Sequence, residues 1–225
     1  MRARLVVFDL DDTLYLERTY VQSGFREVAS KVASAGISPE KVYAYLWRRF
    51  GRGIRRNSFD SLLQRWPEIA SSFGVADLVE VYRSHAPNLR PMLGALATLK
   101  ALGDAGAVLA IISDGLLPVQ ETKLRALGVR ELFHEIVFTD QRGREFWKPH
   151  PWSFHYLGQK FAVPPTGSVY VADNPAKDFI APNLLGWETI RLRCRGQLHQ
   201  AVEAATPEAS PRREVEGLSE VIDLL

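Results

Sequence analysis

Residues Leu5 to Leu14 read LVVFDLDDTL, and the fold is decided there. Leu5 to Phe8 form an unbroken apolar run, as expected of a strand covered on both faces, so Arg4 to Leu10 reads as the first strand. In an extended chain, side chains two residues apart share a face, which lets Asp9 and Asp11 converge where the strand ends. Two neighbouring carboxylates repel unless a cation neutralises them or one stays protonated, and a hard divalent ion such as Mg²⁺ suits oxygen ligands. Acids at a strand end also simply begin loops, so this pattern alone leaves both readings open.

Working outward, four further apolar runs follow: Ala107 to Ile112, Glu135 to Phe138, Ser168 to Val171 and Glu188 to Leu192. Between them lie segments with helical period at Met92 to Leu102, Val119 to Leu127, Trp152 to Phe161 and Ala176 to Leu185, with Gly103, Gly128 and Gly186 as helix stops. This alternation predicts an α/β fold, a Rossmann-like parallel sheet sandwiched by helices through right-handed crossovers. Residues 17–88 break it. Thr19 to Ala35, Pro39 to Phe50, Asn57 to Trp66 and Asp77 to His85 have helical spacing without a strand signal, so 17–88 reads as an inserted α-helical domain and 1–16 with 89–225 as the core. Leu14 to Glu17 and Ala86 to Pro91 are candidate hinges, residues 204–213 a surface loop, and Val215 to Leu225 a closing helix.

Composition narrows the function classes. The 225 residues suit one domain with a sizeable insertion, and 28 Lys and Arg against 26 Asp and Glu leave a net charge of +2, which argues for neither a nucleic-acid nor a membrane partner. The apolar start from Leu5 to Phe8 is too short for a secretory signal, and Lys100 and Asp104 interrupt the longest apolar stretch. With one cysteine, Cys194, the chain fits a reducing compartment, and we expect a cytoplasmic protein. Monomer and homodimer remain equally open.

Three other strand ends carry polar residues. Ser113, Asp114 and Gly115 follow the second strand, a hydroxyl and a turn of backbone N–H groups of phosphate size. Asp173, Asn174 and, five residues after Asp173, Asp178 follow the fourth, with both acids suited to a cation. Lys148 stands in a turn-rich stretch before a helix and offers a compact positive charge to a phosphoryl group. Ligands of open α/β sheets bind at these carboxyl ends. Thr13 is either an orienting hydrogen-bonding residue or a plain turn residue. Arg48, Arg49, Arg52, Arg55, Arg56 and Arg65 either greet an anion or form a solvated face. His150, His155, Trp147 and Trp152 read as surface or packing residues.

In these motifs, their order and their spacing, the chain resembles the haloacid dehalogenase superfamily, phosphatase type, over nearly its whole length. The resemblance implies Asp9 as nucleophile, Asp11 as general acid and base, and Ser113, with Asp114 beside it, and Lys148 as phosphate ligands. It implies Mg²⁺ held by Asp9, the Asp11 carbonyl and Asp173, Thr13 and Asp178 in supporting places, and a helical cap at 17–88. Ala172 replaces a frequent glycine and Asn174 a frequent acid, which leaves Asp178 to act through water. The second aspartate, Asp11, argues against dehalogenation, where no leaving oxygen needs a proton. The expected activity is hydrolysis of a phosphate monoester of a small metabolite, a sugar phosphate, polyol phosphate or nucleotide, through an aspartyl-phosphate. A phosphomutase, or a non-enzymatic phospho-receiver, shares these residue types.

Overall fold

The computed structural model describes residues 4–225 and divides into two units, Met1–Arg18 with Leu89–Leu225 and Thr19–Asn88. The first unit is built on a six-stranded sheet in the order β3-β2-β1-β4-β5-β6, from β1 Leu5–Phe8, β2 Val108–Ser113, β3 Glu135–Phe138, β4 Ser168–Ala172, β5 Glu188–Leu192 and β6 Arg213–Val215. Every pairing is parallel. Strand β1 lies between β2 and β4, which is why Leu5 to Phe8 are all apolar and all buried.

Parallel neighbours need crossovers. These are supplied by α6 (Ala95–Asp104), α7 (Leu117–Leu127), α8 (Trp152–Lys160) and the short α9 (Ile180–Leu184). Gly128 ends α7 at φ 65, a left-handed turn that a side chain would strain. On one sheet face Leu5, Val7, Ala110, Ile112, Val137, Tyr170 and Ala172 pack against Phe154, Leu157, Phe179 and Trp187. The Phe154 ring meets Tyr170 and Trp187 edge-on at 5.0 and 5.4 Å.

The second unit holds α1 (Glu17–Lys31, whose first two residues belong to the first unit), α2 (Pro39–Gly51), α3 (Ser58–Arg65), α4 (Pro67–Ala70) and α5 (Val75–Ser84). An aromatic cluster fills it: Phe25 packs against Phe50, Phe59 and Tyr82, and Tyr20 against Tyr82 and His85. Gly24 makes room for this, because a Cβ there would stand 2.5 Å from the Tyr82 ring. Three of the arginines read as a charged stretch lie over rings of their own unit: Arg55 over Phe50 at 3.8 Å, Arg65 over Trp66 at 5.5 Å and Arg49 over Tyr45 at 5.8 Å.

The structure corrects the C-terminal reading. Residues 204–213 are not all loop, since Arg213 opens β6, and the closing helix α10 shrinks to Glu220–Leu224. Arg213 and Glu214 are exposed on this short edge strand, so the apolar signature of a strand is missing there. The segment after Asp173 is helical only from Ile180 to Leu184, because Asn174 to Phe179 form a turn that aims side chains at the sheet end. Among the described residues no helix is long and apolar enough to cross a membrane.

Candidate active site

The parallel register pairs Phe8 with Ile111 of β2 and with Val171 of β4, so the residues after all three strands emerge at one edge of the sheet. Asp9 extends the ladder, its N–H donating to the Val171 carbonyl at 2.9 Å, and its carboxylate is buried. Carboxylate oxygens of Asp9, Asp173 and Asp178 lie within 4.8 Å of one another. One buried cation faces them. Lys148 Nζ stands 2.5 Å from Asp9 Oδ1 and 2.8 Å from Asp178 Oδ1, and donates to the Tyr170 hydroxyl at 2.9 Å.

Three acids, with Lys148 paired to two of them and Lys177 acting from farther off, leave an excess of negative charge. Burial, set against the Lys148 ammonium and reinforced by the Asp178 charge, pushes Asp9 up to about 7. Burial and the charges of Asp178 and Asp9 likewise hold Asp173 well above the ordinary carboxylate range. Burial works against the charged form of Lys148, but Asp178 and Asp9 outweigh it and lift its affinity for the proton. Asp173 Oδ2 is buried with no hydrogen-bond partner among the described residues. The crowded acids Asp9, Asp173 and Asp178, with this carboxylate oxygen orphaned among them, are a donor set suited to a hard divalent cation. Asp178, expected from sequence to act through water, stands directly in this set.

Asp11 does not. Its carboxylate accepts from Lys123 Nζ at 2.7 Å, from Gln120 Nε2 at 2.7 Å and from the Tyr15 hydroxyl. Burial raises its proton affinity, yet the Lys123 charge and the hydrogen bonds from Lys123, Tyr15 and Gln120 bring the net value below the ordinary one. The pairs thus sort: Asp9 with Lys148, Asp11 with Lys123. The carboxylates fall into two adjoining clusters, and the Asp11 carbonyl implied as a metal ligand is a separate atom from the carboxylate that Lys123 holds.

Ser113 closes β2 and is buried, its Oγ 2.7 Å from Gln120 Nε2. The Asp114 carboxylate, expected to face a substrate, is taken up by Thr139 Oγ1 at 2.8 Å, the Lys148 backbone N–H at 3.1 Å and Lys177 Nζ at 2.8 Å. It braces Lys148 instead of facing outward. Thr13 is fully buried, and its hydroxyl has no hydrogen-bond partner among the described residues. Asp12, at φ 54, turns the chain: its carboxylate accepts from the N–H groups of Glu17 at 2.7 Å and Leu198 at 2.6 Å, and its carbonyl from Gln197 Nε2 at 2.7 Å.

Several of these residues escaped the sequence reading. Gln120 and Lys123 share the helix face of Leu124 and Leu127, and two polar residues on a face otherwise aimed at the core are a signal that periodicity alone could have flagged. Tyr15 and Tyr170 pass for core aromatics, yet their hydroxyls reach Asp11 and Lys148.

The haloacid dehalogenase-like hydrolase family matches residues 3–186. The chain is 31% identical to a glyceraldehyde 3-phosphate phosphatase of Methanopyrus kandleri over 99% of its own length and 97% of the relative's. It is 27% identical to a protein of the same name from Methanocaldococcus jannaschii, over 83% of each chain. Among solved structures, the Bacillus subtilis HAD-hydrolase YfnB, described as bound to magnesium, superposes with a TM-score of 0.71 at 20% identity, covering 100% of this chain and 99% of its own. Sheet order, strand-end acids and sequence agree, and the chain belongs to the haloacid dehalogenase-like hydrolases.

Proposed function

We propose that this hydrolase cleaves phosphate monoesters of small sugar-like metabolites, with three-carbon sugar phosphates first among them, through a phosphorylated Asp9. The observation that carries this reading is the buried meeting of Asp9, Lys148, Asp173 and Asp178 beside Asp11. The names of the relatives point to the same class of substrate.

In the first step an Asp9 carboxylate oxygen attacks phosphorus, the ester P–O bond breaks, and Asp11, which binds a proton against the pull of Lys123 once a phosphate dianion stands beside it, delivers that proton to the departing alkoxide oxygen. The Asp11 carboxylate then takes a proton from water, the hydroxide attacks phosphorus of the aspartyl-phosphate, and Asp9 and inorganic phosphate separate. Lys148 offsets charge on the phosphoryl oxygens, and the Ser113 hydroxyl donates to one of them. Asp173 and Asp178, with Asp9, would hold Mg²⁺, which supplies further positive charge against the phosphoryl group. Monoester hydrolysis is extremely slow unaided, with accelerations approaching ~10²¹, so the task has to be divided among such groups. The supply of phosphorylated metabolites and the lone Cys194 agree with a cytoplasmic setting.

The test is release of inorganic phosphate from a monoester panel led by glyceraldehyde 3-phosphate, with and without Mg²⁺, by the parent protein and by Asp9→Asn. We expect turnover in the parent alone. Phosphate release by the Asp9→Asn protein at the parent rate would overturn the assignment of the nucleophile.

A further inference from the structure

We propose that Lys123 and Gln120, one turn apart on the buried face of α7, are positioning residues that aim the Asp11 carboxyl at the leaving-group oxygen. The inference rests on the role of Asp11 proposed above and deepens it. Lys123 Nζ and Gln120 Nε2 each reach a different oxygen of the same carboxylate at 2.7 Å, Oδ1 and Oδ2 respectively. A two-point hold fixes the plane of a carboxyl as well as its position, which a single contact does not do. Both side chains are buried, so neither contact is a fluctuating surface pair. The Tyr15 hydroxyl adds a third contact on Oδ1, from the turn that carries Asp11 itself.

Gln120 also ties this hold to the neighbouring cluster. Its amide nitrogen lies 2.7 Å from both Asp11 Oδ2 and Ser113 Oγ, so one side chain sets the acid relative to the hydroxyl expected to bind the phosphoryl group. The Lys123 ammonium has no place in the Asp9, Asp173 and Asp178 cluster, where Lys148 is the paired cation. The two lysines therefore divide the work. Lys148 addresses the nucleophile and phosphoryl oxygens, and Lys123 the proton carrier.

A residue that serves only proton delivery matters in proportion to the leaving group's need for a proton. Glycerol phosphate leaves as an alkoxide and needs one, whereas p-nitrophenyl phosphate leaves as a stable phenolate. The quantity to compare is kcat/KM, which reports the steps through the departure of the leaving group and excludes hydrolysis of the phosphorylated Asp9. For Lys123→Met we expect a loss of about 100-fold on the alkyl ester and less than ~10-fold on the aryl ester, within the usual range for acid–base catalysis. Gln120→Leu should follow in the same direction with a smaller ratio. In Asp11→Asn the alkyl-to-aryl ratio should fall as well, and adding Lys123→Met to it should leave that ratio where Asp11→Asn put it.

Equal losses on both esters, or losses that multiply in the double variant, would overturn the inference and leave Lys123 a structural counter-ion. Should Lys123→Met fail to fold, the same two comparisons with Gln120→Leu decide the matter. Failure of the underlying reading would show differently, as phosphate release that survives Asp9→Asn or as a ratio unmoved by Asp11→Asn itself.

Discussion

The guanidinium of Arg191, buried within β5, donates from Nε to the backbone carbonyl of Asp173 at 3.1 Å. Its Nη2 serves the carbonyls of His199 at 3.0 Å and Val202 at 2.8 Å, while Glu203 and Glu214 stand 3.9 and 3.6 Å from Nη1. One arginine thus fixes the backbone of a candidate metal ligand and gathers the segment after β5 around it. A buried guanidinium is tolerable only because carbonyls and carboxylates surround it.

Arg191→Met should therefore be costly out of proportion to its conservative volume. It orphans the buried Asp173 carbonyl and takes the donor from the half-buried His199 and Val202 carbonyls, and we expect a loss of about 3 kcal/mol in urea unfolding, the low end of the range for breaking a buried charged network. A midpoint equal to that of the parent would mean that water reaches those carbonyls and that the arginine is dispensable.

Mg²⁺ should stabilise the protein without any substrate present. Binding to the folded state alone adds about 2.7 kcal/mol at a hundredfold excess over the dissociation constant, and this should appear as a raised Tm. Asp173→Asn should erase most of that increment, yet in metal-free buffer it should be no less stable than the parent, because it relieves one of three crowded acids. A Tm indifferent to Mg²⁺ in the parent protein would remove the metal from the reading.

The helical unit should lose stability on mild acidification through His85. Its ring is buried, Nδ1 lies 2.7 Å from the Tyr82 carbonyl, Nε2 is buried without a hydrogen-bond partner among the described residues, and the Tyr20 ring stands at 4.9 Å. Burial lowers the proton affinity below the ordinary 6.5, against opposing pulls from the Tyr82 carbonyl and the Glu27 carboxylate. A depressed native value means that the unfolded chain binds the proton first. The contribution is whole above about 6.5 and disappears as pH falls through the lower native value. Melting curves at pH 7.5 and 5.5 should show a larger drop for the parent than for His85→Phe, and parallel drops would refute the assignment.

The sequence exposed the parts of this molecule that repeat a local rule. Strands β1 to β5 announce themselves because a sheet covered on both faces requires apolar runs that are continuous or nearly so, and the acids after β1 and β4 stand out because polarity begins abruptly where those runs stop. Asp9, Ser113 and Asp173 stand out for that reason, and Lys148 because it sits in a turn-rich stretch just before a helix. Strand β6 was not, since its charged residues are edge protection and not core. Arg191 reads as an ordinary residue in an apolar strand, and what makes its burial possible lies in carbonyls from residues 173 to 202, a relationship carried by the fold and not by composition. The direction of the Asp11 carboxyl was hidden similarly: spacing aligned it with Asp9, while donors more than a hundred residues away in sequence decide where it points.

The turn at Asp12 has a practical consequence for where this enzyme can be cut. The match to the family as such ends at residue 186, although single relatives align over the whole chain, and that boundary invites trimming the rest as a tail. Yet Leu198 and Gln197 clasp the Asp12 side chain and carbonyl, directly after Asp11 in the chain. A protein shortened at residue 186 would forfeit its last two strands together with that clasp, and the boundary drawn by likeness would sever what chemistry holds as one piece.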